Sequence, residues 1–404
     1  MALYSYEAFN KNGTIVRGEF EGESENEVVD HLERKALQPT SIRVVGGTRH
    51  DISFSFSNTI SPVDTLFFIR NLSTMLKAGM SMSESLDILI RDAEHKPLRD
   101  MLQRVALRIR GGRSLSDAFE PYRDQFPAAF IGMIKAGELS GKLDATLASL
   151  GDYLSREFEL RREIKGALMY PIILLTASIG VTSLLLIVVL PRLTQTFMQN
   201  KMQLPLITRI FMGMSSALTY SWVLDIAILA ALVWFFTYFR KTKSGKKFWS
   251  ELLFAAPVSR DIVKKIALVR FTRTFGSLIN SGVSALETID ISADAVGNTR
   301  YSEALREAAK SVERGSPLSS SLAAHEELFP RILIGLVVVG ERTGTLGEIL
   351  LTLASFYEEE ANAKLKNLTA IMEPALLLVM GLVVGSIALS ILMPIYGMIG
   401  QIGG

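Results

Sequence analysis

Three stretches of the chain stay apolar for the thickness of a bilayer, and most of the remainder alternates apolar and polar positions with a helical period. From Gly166 to Pro191 no residue is charged, and YPIILLTASIGVTSLLLIVVLP is dense in Leu, Ile and Val. A helix rising about 1.5 Å per residue there crosses a hydrocarbon core of roughly 30 Å. After Glu373 no charge occurs before the last residue, and PALLLVMGLVVGSIALSILMP reads as another span. A middle one, WVLDIAILAALVWFFTYF at Trp222–Phe239, is broken by Asp225 near one end. An aspartate there is either an interfacial residue or a functional intramembrane carboxylate.

Ahead of the first span, Ser61-Pro62-x-Asp64 has the form of a helix start: an N-cap, a proline at the first helical position and an acid in the first turn. Phe68, Leu72, Met75 and Leu76 then recur at helical spacing, and Gly79 ends the run. Ser81-x-x-Glu84 and Ser114-x-x-Asp117 open further helices, as do Ser284-x-x-Glu287 and Ser316-Pro317 later in the chain. The pattern predicts two modules of about six helices, the last of each running into a span. The first sixty residues have a different period. Tyr4, Tyr6 and Phe9 predict a strand, Asn12-Gly13 a hairpin turn, and Thr14–Phe20 a second strand. Ser24-x-x-Glu27 opens a helix to about Ala36, Thr40–Val45 is a third strand, and the Gly/Ser-rich run Gly46–Asn58 is a linker. The expected fold class is mainly α: a polytopic membrane protein with two duplicated cytoplasmic helical-bundle modules, three transmembrane helices and a small N-terminal α+β appendage.

The duplication is visible at a fixed offset of 203 residues. Arg70 falls on Arg273, Gly79 on Gly282, Ser81 on Ser284, Glu84 on Glu287 and Gly112 on Gly315. Phe126-Pro127 meets Phe329-Pro330, Met169-x-Pro171 meets Met372-x-Pro374, and Pro191 meets Pro394. Comparing 68–191 with 271–394 without a gap, roughly a quarter of the pairs are identical. The pattern repeats as a soluble module followed by one span, and the middle span returns the second module to the first one's side.

Composition sharpens this picture in two ways. The hydrophobic fraction is 49% at a mean hydropathy of +0.29, alongside 21% charged residues, which fits spans separated by ordinary charged domains. The formal charge is only +2, so bulk charge gives no support to nucleic-acid binding. Its distribution is more informative. Arg240, Lys241, Lys243, Lys246 and Lys247 follow the middle span, and Arg156, Arg161, Arg162 and Lys165 precede the first. Residues 192–220 carry only Arg192, Lys201 and Arg209. Basic flanks stay in the cytoplasm, so the chain is expected to run in-to-out, out-to-in and in-to-out, with nearly all soluble mass cytoplasmic. The start, MALYSYEAFNKNG, has no basic n-region or apolar h-region of a cleaved signal.

No catalytic constellation emerges. With no cysteine, thiolate metal sites, disulfides and cysteine nucleophiles are excluded. His31, His50, His95 and His325 have no metal-ligand spacing. Lys243-Ser244-Gly245-Lys246 lacks the upstream glycine of a phosphate loop, Arg240 standing there. Glu358-Glu359-Glu360 is either a solvated helix face or part of a divalent-cation site. No cofactor is expected. What remains is a motif found twice, AGELSGKLDATLASL at 136–150 and VGERTGTLGEILLTL at 339–353. Gly137, Glu138 and Gly141, with Gly340, Glu341 and Gly344, form either a tight helix–helix corner or a pair of exposed partner contacts. A third candidate is the acidic run Glu19, Glu21, Glu23, Glu25 and Glu27, every second residue. In a strand this would be a one-sided ridge, either a solvated edge or a docking surface for a basic patch on a partner.

Taken together, the duplicated module, the Gly-Glu-x-x-Gly-x-Leu turn, Met169-Tyr170-Pro171 before the first span and Met372-Glu373-Pro374 before the last resemble the general secretion pathway protein F family. These are the inner-membrane platform proteins of type II secretion and type IV pilus assembly. The resemblance runs from the N-terminal appendage to Pro394-Ile395, with Glu163 standing where a basic residue would be expected. It implies a non-enzymatic protein of the bacterial inner membrane, N-terminus cytoplasmic and C-terminus periplasmic. Its implied partners are a cytoplasmic hexameric ATPase, other inner-membrane assembly proteins, pilin or pseudopilin, the bilayer and further copies of itself. The expected division is an appendage (1–57), a first module (58–169), a first span (170–191), a periplasmic connection (192–220), a middle span (221–239), a basic connector (240–265), a second module (266–372), a last span (373–395) and a tail (396–404). The alternative function is a small-solute carrier or channel, which would need a polar site near the bilayer midplane.

Overall fold

A computed structural model describes residues 2–9, 15–22, 31–32, 35, 38–45, 60–192 and 257–402, with isolated positions between 209 and 251. Residues Met1–Asn58 and Thr59–Gly404 are separate compact units. In the first unit, β1 (Ala2–Phe9), β2 (Ile15–Gly22) and β3 (Gln38–Val45) form an antiparallel sheet of order β2-β1-β3. Tyr4 stands opposite Phe20 on one side and Val44 on the other. The expected Asn12-Gly13 turn, the linker and most of the intervening helix lie outside the described residues. His31 and Leu32 within that helix are helical.

In the second unit, the first copy of the repeat builds α1 (Pro62–Lys77), α2 (Met82–Asp92), α3 (Lys96–Arg110), α4 (Leu115–Phe119), α5 (Ala129–Ser140) and α6 (Leu143–Leu184). A short 3₁₀ turn at Glu120–Gln125 joins α4 to α5. The second copy builds α7 (Pro257–Asn280), α8 (Ala285–Ala295), α9 (Thr299–Glu313), α10 (Leu318–Ala323), α11 (Arg331–Thr343) and α12 (Leu346–Ile402). Four of the starts follow the serine signals, whereas α10 begins after Pro317 with no side-chain cap from Ser316. The Ser61 hydroxyl accepts from the Val63 amide, Ser81 from Glu84, Ser114 from Asp117 and Ser284 from Glu287. Phe68, Phe119, Phe126 and Phe130 fill the first core, with Phe126 and Phe130 stacked 4.0 Å apart. Phe271, Phe275, Tyr301 and Phe329 fill the second, edge to face.

Two boundaries differ from the sequence reading. The segment expected as a basic connector to residue 265 is already helical from Pro257, a residue well suited to a first helical turn. The expected tail is also helical, α12 running through Pro394 to Ile402. The middle span, Trp222–Phe239, lies outside the described residues except for Trp234, Tyr238 and Phe239. Among the described residues two helices are long and apolar enough to cross a membrane, Leu143–Arg192 and Leu346–Ser390, and their apolar windows are almost wholly exposed.

The helix ends depend on glycine. Gly79 and Gly282 have φ of 85° and 87°. At the first, the amide of Gly79 bonds Leu76 and that of Met80 bonds Met75; at the second, Gly282 bonds Ile279 and Val283 bonds Leu278. This two-bond closure requires a left-handed residue, which only glycine adopts without steric cost. Gly79→Val or Gly282→Val is therefore expected to destabilise the protein by about 1–3 kcal/mol through backbone strain. Denaturant unfolding of the solubilised chain should show the loss, and an unchanged midpoint would contradict the turn.

Candidate functional site

The duplicated Gly-Glu corner is built the same way in both copies. Gly137 lies so close to α6 that an added Cβ would sit 2.8 Å from the Thr146 Cβ; at Gly340 it would sit 2.8 Å from the Leu346 Cα. One residue on, the Glu138 carboxylate reaches back to the start of α4. It accepts from the Leu115 amide, the Ser116 amide at 3.1 Å and the Ser116 hydroxyl at 2.5 Å. Glu341 does the same for α10, accepting from the Leu318 amide at 2.6 Å and the Ser319 amide at 3.3 Å. Helix amino ends carry unpaired N–H groups and a positive partial charge, so a carboxylate there is favoured twice over. Gly141 and Gly344, at φ 67° and 73°, then turn the chain into the long helices that begin at Leu143 and Leu346. The first glycine of the motif thus allows close approach, the glutamate caps a neighbouring helix, the second glycine makes the left-handed turn and the leucine starts the next helix. Both glutamates are half-buried and bonded inside their own module, so the reading of them as exposed partner contacts does not fit their geometry.

The second constellation lies where the modules give way to the spans. The Tyr170 hydroxyl donates to the Glu373 carboxylate at 3.2 Å, joining positions that are equivalent in the repeat. Beside it the Thr369 hydroxyl lies 3.3 Å from the carbonyl of Ala167, to which it donates, and 3.1 Å from that of Leu365. The Ala167 carbonyl is four residues before Pro171, which has no N–H to give it. The proline in the first motif therefore creates an acceptor that α12 satisfies. These contacts set α6 and α12 side by side and parallel, with a groove of about 680 Å³ between them lined by Arg162, Glu163, Lys366 and Glu373. Further along, an apolar groove of about 370 Å³ runs between the same helices past Leu175, Ser178, Thr182, Val379 and Val383. Pro374 sits in α12 at the position matching Pro171.

Burial brings out groups that spacing alone does not. Glu358 is not on a solvated face: its carboxylate lies 2.6 Å from the Arg273 guanidinium, both nearly buried. Burial pushes the Glu358 carboxyl above its ordinary range, against the pull of Arg273 and Arg156. Glu360 pairs with Lys265. Among the described residues no group of three or more metal-ligating side chains comes together. Arg70, the repeat equivalent of Arg273, is exposed. Of the acidic run, Glu19 and Glu21 lie in β2 opposite Ser5 and Leu3, at the edge of the described sheet. Glu23, Glu25 and Glu27 lie outside the described residues.

The proline–threonine contact gives a test by double-mutant cycle. Thr369→Val removes the hydroxyl and is expected to cost about 0.5–1.5 kcal/mol. In a Pro171→Ala background the helix supplies its own donor to Ala167, and the same substitution should cost measurably less. Equal costs in both backgrounds, read from unfolding in detergent, would show that the freed carbonyl is not what Thr369 satisfies.

Comparison with known proteins agrees with this geometry. The family described as type II secretion system (T2SS), protein F, matches residues 68–191 and again 271–394, and the type II secretion system protein F N-terminal domain matches 1–43. The chain is 30% identical to the type IV pilus assembly protein PilC of Thermus thermophilus over 404 residues, covering 100% of this chain and 99% of that protein. It is 30% identical to the PilC of Myxococcus xanthus over 401 residues, covering 99% and 96%. It is also 30% identical to the type II secretion system protein F of Xanthomonas campestris pv. campestris over 407 residues, covering the full length of both. Matched over both copies of the repeat and over its first 43 residues, this chain belongs to the type II secretion system protein F family.

Proposed function

We propose that this chain is a non-enzymatic inner-membrane platform of a type II secretion or type IV pilus assembly system. It couples a cytoplasmic hexameric ATPase to the extraction of pilin or pseudopilin subunits and their assembly into a fibre. The observation that carries the reading is that each helical module joins its span through one unbroken helix. α6 begins at Leu143 among the first core, α12 at Leu346 among the second, and both continue as exposed apolar helix. A force applied to a module is delivered along a rigid rod into the bilayer. The apolar groove between α6 and α12 offers a surface on which the membrane helix of a pilin-like subunit can lie.

The parallel course of α6 and α12 also supports the proposed topology. Two spans crossing in the same direction require an odd number of crossings between residues 193 and 256, and Trp222–Phe239 is the apolar stretch available there. Both modules then lie on the cytoplasmic side, with the N-terminus cytoplasmic and the C-terminus periplasmic, as the basic flanks require. Cysteine labelling tests this in a chain that has none of its own. The probe sites are the exposed Ser83 and Ser316, since Ser116 and Ser319 are only 6% and 7% exposed and would resist any reagent. Ser83→Cys and Ser316→Cys should stay unlabelled by an impermeant thiol reagent in intact cells and react after permeabilisation, whereas Gln199→Cys should react from outside. External labelling of Ser316→Cys would overturn the topology.

Self-association and recruitment of the ATPase complete the proposal, with the acidic ridge of residues 19–27 as the docking surface. The solubilised full chain should capture a pilus-type ATPase in a pull-down that weakens as salt is raised. Reversing Glu19, Glu21 and Glu23 to Lys should weaken capture while membrane insertion is unchanged. Nucleotide turnover by the chain in a preparation free of that ATPase would end the non-enzymatic reading. Full capture by the reversed variant would move the docking site to the helical modules.

A further inference from the structure

The two modules of one chain meet through a contact whose two halves each exist a second time, unused. Within the chain, α5 and α6 of the first module pack against α7 and α8 of the second. The centre of this contact is a knob in a notch. Ile291 on α8 packs against the first module's core, and Gly132 on α5 makes room for it. A Cβ at Gly132 would lie 2.7 Å from the Ile291 Cδ1 and 3.5 Å from the Leu278 Cδ2. At the rim Lys135 lies 3.7 Å from Glu287, and the Leu139 side chain borders the same glutamate. On α6, Glu157 lies 3.5 Å from Arg270, and the Tyr153 hydroxyl lies 3.3 Å from that of Thr274.

Shifting each residue by one repeat gives the complementary pair of surfaces. The second copy of the knob is Ile88 on α2, and the second copy of the notch is Gly335 on α11; both are the same residue type as their counterparts. Neither is packed against another module among the described residues. Ile88 is 43% exposed, and nothing lies within 4 Å of a Cβ built on Gly335. Ile332 and Val339 flank Gly335 on the same face of α11 and are exposed too. The rim is kept with its two roles exchanged. Glu287 becomes Glu84, Lys135 becomes Val338 and Leu139 becomes Arg342, so one basic and one apolar side chain again face the glutamate. Tyr153 becomes Phe356, rising from 5% to 47% exposed, and Arg270 becomes Phe67, 56% exposed. Their partners Thr274 and Glu157 become Asn71 and Glu360, so neither polar contact of that corner is kept.

We propose that the second module of one chain receives the first module of another copy, with α2 and α1 of the incoming chain packed on its α11 and α12. The contact is head-to-tail, the interchain repeat of the contact that joins the modules within each chain. The occupant is a second copy because the exposed knob matches, residue for residue, the knob that already fills the matching notch. The membrane permits this arrangement. The step from first to second module leaves α6 and α12 parallel, so repeating it keeps every span in one direction and every module on one face of the bilayer. A heterologous contact of this kind closes into a ring or continues as an open array. It gives the self-association proposed above a definite surface and rests on that reading, but does not depend on any role in secretion.

The test uses cysteine pairs in the full-length, cysteine-free chain in membranes. Gly132→Cys with Ile291→Cys in one chain is the control, and oxidation should lock it internally as a faster-migrating monomer. Chains carrying Ile88→Cys mixed with chains carrying Gly335→Cys should give a disulfide-linked dimer, and neither alone should. A chain carrying both should give a ladder of covalent oligomers. Dimers from Ile88→Cys alone would indicate a two-fold contact and overturn the proposal. A control that locks while the mixed chains stay monomeric would overturn it as well. Amine-reactive cross-linking of the unmodified protein separates the remaining cases: oligomers without the Ile88–Gly335 link leave self-association standing on another surface, and monomers alone remove both.

Discussion

A backbone carbonyl inside a bilayer has no water to turn to, and the arrangement of the long helices follows from where that rule is strained. α6 gives up two internal donors. Pro171 leaves the Ala167 carbonyl without its partner four residues on, and a π-helical turn at Leu185–Val189, followed by Pro191, leaves that of Leu186 in the same position. Each vacancy is met by a hydroxyl from elsewhere in the chain, Thr369 for Ala167 and Ser215 for Leu186, the latter at 2.6 Å. Leu186 lies within the first span, where an unpaired carbonyl would cost several kcal/mol, whereas Ala167 lies at its polar entrance, where the cost is smaller. The prolines that weaken α6 as a helix therefore fasten it to its neighbours. These contacts hold α12 alongside α6 and parallel to it.

The duplication did not produce a symmetric molecule. A two-fold pairing would bury each module against the other through the same residues, yet the first module offers α5 and α6 while the second offers α7 and α8. Equivalent positions have consequently diverged in burial. Arg273 is enclosed against Glu358 while Arg70 faces solvent, and Tyr153 is covered while Phe356 is open. The surviving identities divide by cause. The glycines at the helix ends are kept by local backbone geometry and the capping glutamates by a helix contact inside each module, both the same in the two copies. The Ile88–Ile291 and Gly132–Gly335 identities have no such local reason, since only one member of each pair is packed in the chain.

This division also explains how much can be read without coordinates. Helix starts at Ser81, Ser114 and Ser284 and the left-handed turns at Gly79 and Gly282 rest on contacts within a few residues, so their spacing is enough. The spans need only length and apolarity. The capping role of Glu138 is not legible, because its partners lie 22 and 23 residues earlier and nothing local announces a carboxylate aimed at another helix. Glu358 reads as part of a surface run for the same reason, its arginine lying 85 residues away. Pro171 is an intermediate case: a proline within an apolar run signals a freed carbonyl, but only the fold shows that Thr369 takes it.

The remote cap on α4 also bears on how the chain comes off the ribosome. A helix of five residues is too short to persist alone, because its nucleation cost exceeds what one turn returns. Ser114 caps one of its amino-end N–H groups and Glu138 takes the two before it, so α4 is fully capped only when the chain has been made through α5 and that helix has docked. Within the first module this cap can form while the second is still being synthesised, although the first core is filled only when Leu278 and Val283 of the second copy arrive, and the second repeats the capping step when Glu341 emerges. Synthesis thus presents two capped bundles in sequence, each ended by the turn that starts its long helix.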